Sequence, residues 1–394
     1  MAIIKRAFFP EYINDIYIML TEKCPMRCEY CYIKNRQNGK DITKETLDKL
    51  MGKVTNKPRI IFFGGEPLLH VDLMKWFIDK YKNRCSIFQT VTSAAVNFDR
   101  FYTEIYKTTP NFELQMSWDG YDGTRLLGGV KNISKQVFDK HIQILLENND
   151  KFQIRSVIND TNVDNLYNLY HLFKKLSLTY TNFCGDMTIA HQKEFNDQFP
   201  NKIRSQLLKI FSDIEADASA HRQIWIPQLL LGYIANFVGN GKIMSCNVGS
   251  EMIIRPNGDI YPCTMLSQCG DKYKLGSVYD TYLNTEIIDS LVCQPKECEH
   301  CVDKKYCMGG CRYEKEKRTG NLDIVNPCYC DQAHTIISVV KDWMNSLSKN
   351  VYIVILQYAA QYIKWMAVTQ SKHVDIANNY REKEVHPWIS LNEK

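Results

Sequence analysis

Between residue 13 and about residue 190 the chain alternates short β-type runs with amphipathic helical patterns, and this alternation limits the fold more than any other feature. DIYIML (15–20), RIIFF (59–63), SIFQTV (86–91), FELQMSW (112–118) and FQIRSVI (152–158) read as strands. Between them Leu47, Leu50, Met51 and Val54 form one apolar face, and a helix is expected around 69–82. Phe138, Ile142 and Leu145 stand in helical register within 134–148. TNVD then offers a capping box through Thr161 and Asp164, and the helix after it carries Val163, Leu166, Tyr170 and Phe173 on one side. Repeated βα units of this length imply a parallel sheet with right-handed crossovers. Periodicity leaves barrel and open sheet both available. In either, chemistry sits at the carboxyl ends of the strands. Three polar features fall there: a cysteine loop, GGEP, and Ser117-Trp118-Asp119-Gly120.

The cysteine loop, MLTEKCPMRCEYCYIKN at 19–35, holds Cys24, Cys28 and Cys31, with Tyr30 just before the last. Iron–sulfur clusters are held by thiolates, and a cubane has four irons to ligate. Three thiolates leave one iron open to a small molecule, as an incomplete ligand set does at catalytic metal sites. Zinc is the plainer alternative, but zinc sites usually show paired C-x-x-C spacings with four protein ligands. Fifteen cysteines without a readable signal peptide point to a cytoplasmic protein whose thiols serve metal or catalysis rather than disulfides.

C-x3-C-x2-C with an aromatic before the last cysteine resembles the signature of the radical S-adenosylmethionine (SAM) superfamily. The resemblance implies an α/β fold, a partial (β/α)6 TIM-like barrel. In it Cys24, Cys28 and Cys31 hold the catalytic 4Fe–4S cluster, whose open iron chelates SAM. An electron then cleaves SAM to methionine and a 5′-deoxyadenosyl radical, which takes hydrogen from the substrate. FFGGEPLL at 62–69 looks like the family's GGEP motif. Two glycines let backbone approach a ligand closely, and Gly64, Gly65 and Glu66 would hold the SAM amino group. Ser117 matches the position that reaches the SAM ribose, and Arg155 or Ser156 would hold its carboxylate. Relatives often have a Thr-Asn-Gly turn after the third strand. Here QTVTSAAV follows, so Thr90, Thr92 or Ser93 would contact SAM instead.

Ten cysteines follow from Cys246 onward. PNGDIY marks a hairpin between Cys246 and Cys263, CEHCVDKKYCMGGC spaces Cys298, Cys301, Cys307 and Cys311, and NPCYC adds Cys328 and Cys330. This pattern resembles the SPASM extension, which implies two auxiliary 4Fe–4S clusters. One would take Cys246, Cys263 and Cys311. The other would take Cys298, Cys301, Cys307 and one of the final pair, with Cys330 preferred because a helical pattern begins directly after it. The first set is one ligand short, to be filled by Cys269, Cys293 or Cys328 or left open to a substrate thiolate. A double zinc knuckle is the alternative. The expected organisation is a barrel over 13–200, a helical linker over 201–245, a SPASM-type domain over 246–332, and a C-terminal helical segment and tail over 333–394.

SPASM-bearing relatives mostly modify peptides or proteins. Sulfatase maturases carry an aspartate directly after the cysteine of the YPC turn as a proton acceptor; Thr264 stands there, and a threonine cannot serve as a base near neutral pH. The expectation is therefore a maturase that crosslinks or otherwise modifies a ribosomally made peptide. A sulfatase-type formylglycine maturase and a non-catalytic zinc or iron–sulfur electron carrier are the alternatives. Expected partners are a peptide or protein substrate and a small electron donor such as flavodoxin or ferredoxin. With some fifteen residues before the first strand there is no room for a leader-binding domain. That role would fall to a separate protein or to the apolar stretch 351–368, unless that helix simply packs on the body. Gln357, Gln361 and Lys364 interrupt the stretch, so it is no membrane span. A net charge of +5 and no added RNA-binding module argue against nucleic acid. Asp119 reads as a helix cap, a turn former or a substrate contact, His300 as a solvent-facing loop residue, and Cys85 and Cys184 as ordinary buried thiols.

Overall fold

A computed structural model describes residues 8–10, 13–33, 36–190, 198–241, 248, 251–292, 295–307 and 309–379. Six strands, β1 (Asp15–Thr21), β2 (Arg59–Gly64), β3 (Ile87–Thr92), β4 (Glu113–Ser117), β7 (Phe152–Ile158) and β8 (Phe183–Ile189), lie side by side in chain order and run parallel. The intervening β5 (Leu126–Leu127) and β6 (Lys131–Asn132) form a separate two-stranded ribbon. Helices α1 (Lys44–Lys53), α2 (Val71–Tyr81), α3 (Phe98–Phe101), α4 (Ser134–Gln136) with α5 (Gln143–Glu147), and α6 (Leu166–Thr179) fill the crossovers. A π-helical stretch over Val137–Ile142 joins α4 to α5, so 134–147 is one continuous helical segment. The result is a partial (β/α) barrel.

Alternation along each strand separates two faces. Ile16, Ile18 and Leu20 of β1, Ile60 and Phe62 of β2, and Ile154 and Ile158 of β7 are buried in the large core beneath the helices. Met19 and Ile253 belong to a second, smaller apolar cluster, with Tyr17 and Phe63 packed against it. That cluster is the floor under the cysteine loop, since Ile33, Cys31 and Tyr32 also join it.

The sheet continues past β1. β9 (Glu251–Ile254) pairs parallel with β1, and β10 (Asp259–Tyr261) and β11 (Gly276–Ser277) follow antiparallel, giving nine strands among the described residues. The turn between β9 and β10 is the expected one. Arg255 N donates to Asp259 O at 2.9 Å, and Gly258 takes φ +87°, which favours glycine. The cysteine-rich segment therefore begins as an extension of the barrel sheet. The remaining helices are α7 (Gln198–Ser219), α8 (Gln228–Val238), α9 (Glu286–Val292), α10 (Arg312–Thr319), α11 (Pro327–Ser346) and α12 (Lys349–Asn379). Positions 200 and 332, expected as domain limits, lie inside α7 and α11.

Four sequence expectations differ from the structure. β8 has no counterpart among the expected strands, because Cys184, Gly185 and Asp186 break the apolar run of FCGDMTI. The capping box at Thr161 does not form. Asn159 Oδ1 accepts from Thr161 N at 3.0 Å and Thr161 Oγ1 at 2.7 Å, so an asparagine-centred turn takes the hydroxyl that a cap would have used. The C-terminal helical segment expected from 333 onward is two helices rather than one. Leu347 is extended, and α12 restarts with Tyr352 N donating to Ser348 O at 2.9 Å. Finally, Cys184 is exposed rather than buried. It pairs with Gln153 across β7 and β8, two positions from Arg155.

Candidate active site

The cysteine loop leaves the carboxyl end of β1 and is pinned from two sides. On one side the GGEP turn donates to it: Gly65 N to Thr21 O at 2.7 Å and Glu66 N to Lys23 O at 2.9 Å. A Cβ on Gly64 would strike Thr21 O, and one on Gly65 would strike Lys23 O. The glycines expected to admit a ligand thus admit the backbone of the cysteine loop. On the other side the β5–β6 ribbon grips the loop. Arg27 N donates to Leu126 O at 2.8 Å, Gly128 N donates to Pro25 O at 2.9 Å, and Met26 bridges Leu127.

Glu66 is buried, and its carboxylate is filled from within the protein. Oε1 accepts from Thr92 Oγ1 at 2.5 Å and Leu68 N at 3.1 Å; Oε2 accepts from Ser93 Oγ at 2.5 Å and Ser93 N at 2.9 Å. These four donors use the lone-pair sites of a carboxylate, so its oxygens brace β3 against the GGEP turn. Burial pushes the Glu66 carboxyl up, and the Ser93 and Thr92 donors oppose that shift. Thr92 and Ser93 are therefore committed to Glu66, while Thr90 Oγ1 donates to Phe62 O at 3.3 Å.

Ser117 and Arg155 are partners in the β4–β7 register, so their side chains leave the same face. Arg155 pairs with Asp186 at 3.1 Å, and Asp186 Oδ1 also accepts from Leu229 N in α8 at 3.1 Å. Ser156 points the other way. It is fully buried and donates to the carbonyl of Trp118, which removes it from the inner face and leaves Arg155 there with Ser117.

Asp119 is neither a simple turn former nor free for a substrate. Tyr30 Oη donates to Asp119 Oδ2 at 2.5 Å, Val157 N donates to Oδ1 at 2.8 Å, and Arg125 forms an ion pair with Oδ2 at 3.0 Å. The Arg125 guanidinium also lies over the Tyr30 ring, 5.3 Å from its centre. Tyr30, Asp119 and Arg125 thereby lock the cysteine loop to the end of β4. Tyr30 was legible only as the aromatic beside a cysteine. Its partners require the fold.

Burial pushes the Cys24 thiol up to about 12, with the Glu66 charge adding to it, and burial also raises Cys28 against the opposing charge of Arg125. A coordinating metal deprotonates such thiols outright. In the cysteine-rich segment Cys298, Cys301, Cys307 and Cys330 line one cavity together with Asp303 and His334. Cys328 is buried and lies outside that lining. Cys263, Cys269 and Cys311 pack with Cys31 against the small apolar cluster, beside Tyr32 and Tyr313. Cys246 and Cys293 lie outside the described residues. Among the described residues, no three Cys, His, Asp or Glu side chains close on a single point as the ligands of one ion do. Soft thiolate sets of this kind suit iron–sulfur clusters, in which each iron takes its own cysteine.

One half-buried acid had no place in the sequence reading. Glu251, opposite Asp15 at the start of β9, has its carboxyl pushed up to about 7 by burial and the Asp15 charge, against a hydrogen bond from the Thr264 backbone. A lone charged residue opening the apolar run EMII was the available signal. Elsewhere, His300 is exposed as expected. α12 packs on α8 and α7 and buries Val351, Ile355 and Ala359, while Ile353 and Trp365 stay exposed.

Residues 18–182 match the family model described as Radical SAM superfamily. Over these residues the chain carries a radical SAM domain; it is an enzyme, and its cofactors are a 4Fe–4S cluster and SAM. Its relatives include the cysteine-type anaerobic sulfatase-maturating enzyme of Clostridium novyi, 23% identical over 347 residues covering 76% of this chain and 88% of that protein. The radical SAM cyclopropyl synthase TigE of Paramaledivibacter caminithermalis is 22% identical over 352 residues, covering 82% of this chain and 72% of the relative. The PqqA peptide cyclase of Granulibacter bethesdensis is 20% identical over 344 residues, covering 81% and 87%. Among solved structures, native anSMEcpe with bound AdoMet and a peptide superposes with a TM-score of 0.66 at 17% identity, covering 84% of this chain and 98% of that one. Streptococcus suis SuiB bound to precursor peptide SuiA gives 0.54 at 15% identity, covering 82% and 76%. At these identities the structural likeness establishes the partial-barrel fold.

Proposed function

We propose that this enzyme is a maturase that abstracts hydrogen from a residue of a ribosomally made peptide and leaves a thioether, carbon–carbon or related link. When bound at Cys24, Cys28 and Cys31, the cluster and SAM supply a 5′-deoxyadenosyl radical. The chain's own residues do the rest. The GGEP turn and the Tyr30–Asp119–Arg125 lock fix the cysteine loop, and Ser117 and Arg155 present a hydroxyl and a guanidinium to SAM from the inner face. Cys298, Cys301, Cys307 and Cys330 would hold one auxiliary cluster. Cys263 and Cys311 would serve another, with Cys269 in the same apolar cluster as a further thiol. A small reductant such as flavodoxin or ferredoxin and a cytoplasmic setting fit these thiols. Among the described residues no helix is long and apolar enough to cross a membrane.

The observation that carries this reading is Thr264, which follows Cys263 where a sulfatase maturase would place its proton-accepting aspartate. Peptide-modifying relatives such as TigE and the PqqA cyclase support it. Glu251, held by the Thr264 backbone, favours a second reading in which it replaces that aspartate in a formylglycine-type oxidation. The test is anaerobic turnover with SAM, reductant and candidate peptides, followed by mass spectrometry and hydrazide capture. Loss of two hydrogens without an aldehyde is expected. A captured aldehyde decides for formylglycine formation, and failure to form 5′-deoxyadenosine overturns both.

A further inference from the structure

Helix α11 carries a stripe that the cluster ligands alone do not explain. Cys330, His334, Ile337 and Lys341 recur at intervals of four, three and four residues, which sets them on one face. The first three line the cavity shared with Cys298, Cys301 and Cys307. His334 Nε2 lies 3.8 Å from Cys301 Sγ, and His334 Nδ1 lies 2.7 Å from Asp303 Oδ2. Asp303 is buried, and its other oxygen accepts from Lys341 Nζ at 2.6 Å. Lys341 also stands 4.8 Å from the centre of the Tyr306 ring. The Asp303 carbonyl in turn accepts from Cys307 N at 3.0 Å, so the same residue supports a second thiol of the set. The imidazole is thus aimed at a sulfur by a carboxylate that is itself held in place. Such an outer arrangement orients a group beside metal ligands and tunes the metal they carry.

We propose that His334 is a positioning residue that donates a hydrogen bond to the Cys301 sulfur of an auxiliary cluster and holds that cluster's reduction potential up. The Asp303 carboxylate holds the ring by Nδ1 and so turns Nε2 toward the Cys301 sulfur. A donor at the sulfur stabilises the extra negative charge of the reduced cluster, and hydrogen bonds to sulfur are among the determinants of cluster potential. The inference rests on the reading that Cys298, Cys301, Cys307 and Cys330 hold a cluster.

The test uses the full chain, reconstituted anaerobically with iron and sulfide, with Cys24, Cys28 and Cys31 replaced by alanine so that only auxiliary signals remain. Potentiometric titrations followed by EPR compare this parent with His334→Phe and His334→Gln. One midpoint is expected to move to lower potential in His334→Phe and to return part of the way in His334→Gln, with iron and sulfide unchanged. Identical midpoints in all three proteins overturn the inference, as does loss of one cluster's iron from both variants, which would make His334 a ligand. A parent whose iron content is insensitive to Cys301→Ala overturns the cluster reading itself, and the inference with it.

Discussion

Tyr30 Oη donates to Asp119 Oδ2 at 2.5 Å, and this contact joins the cysteine loop after β1 to the carboxyl end of β4. Two elements 89 residues apart in sequence are fixed to each other by it, and Arg125 completes the arrangement. Replacing Asp119 by alanine leaves the Arg125 guanidinium largely buried without its counter-charge. The expected cost is about 3–5 kcal/mol, with less iron retained by the loop. Tyr30→Phe removes only the hydroxyl and is expected to cost about 1 kcal/mol. Denaturant unfolding and iron analysis of both variants check the difference.

Gly65→Ala places a methyl group against the carbonyl of Lys23. The GGEP turn must then move off the cysteine loop, at about 1–3 kcal/mol for overpacking of this kind. Weaker SAM binding with unchanged helix content is expected, measured by anaerobic equilibrium dialysis and circular dichroism. Unchanged affinity would show that the turn does not set the loop's position.

Glu251 makes stability depend on pH in a stated direction. Burial, then the Asp15 charge, push its folded-state carboxyl from 4.5 up to about 7. Between those two values the folded chain keeps a proton that the unfolded chain releases, so stability falls as pH rises through that window and levels off above it. Glu251→Gln is expected to flatten this slope. The variant should match the parent at the acid end and exceed it in mildly alkaline buffer, as read by urea unfolding across pH.

Cys28→Ala is expected to abolish 5′-deoxyadenosine formation while sparing most of the iron held by the cysteine-rich segment. Chromatographic assay of the nucleoside under strong reduction checks the first, and iron analysis the second. Cleavage at the parental rate would remove Cys28 from the ligand set.

The parallel strands were legible because Ile16, Ile18, Ile60 and Phe62 belong to dense β-branched and aromatic runs. β8 was not, since an edge strand can carry Cys184, Gly185 and Asp186 without a buried partner on both sides. At the site, spacing alone marked Cys24, Cys28 and Cys31; Cys330 was preferred on a helix expected to begin directly after it, whereas α11 begins at Pro327 and contains both Cys328 and Cys330. For Gly65 and Glu66 the motif names the residues, while their contacts with the cysteine loop and β3 become visible only in the folded chain. Ser156 and Arg155 differ by one position, and the side-chain alternation of β7 sets them on opposite faces once its register is known. Asp119 needed Tyr30 and Arg125 beside it before its role could be seen.

The ladder from Ile16–Met252 to Ile18–Ile254 between β1 and β9 carries one more consequence. Everything from the second to the eighth strand is an excursion that departs from and returns to a common rail. A crossover along that excursion can lengthen without parting β1 from β9, so the cysteine loop after β1 and the start of the cysteine-rich segment stay on neighbouring strands.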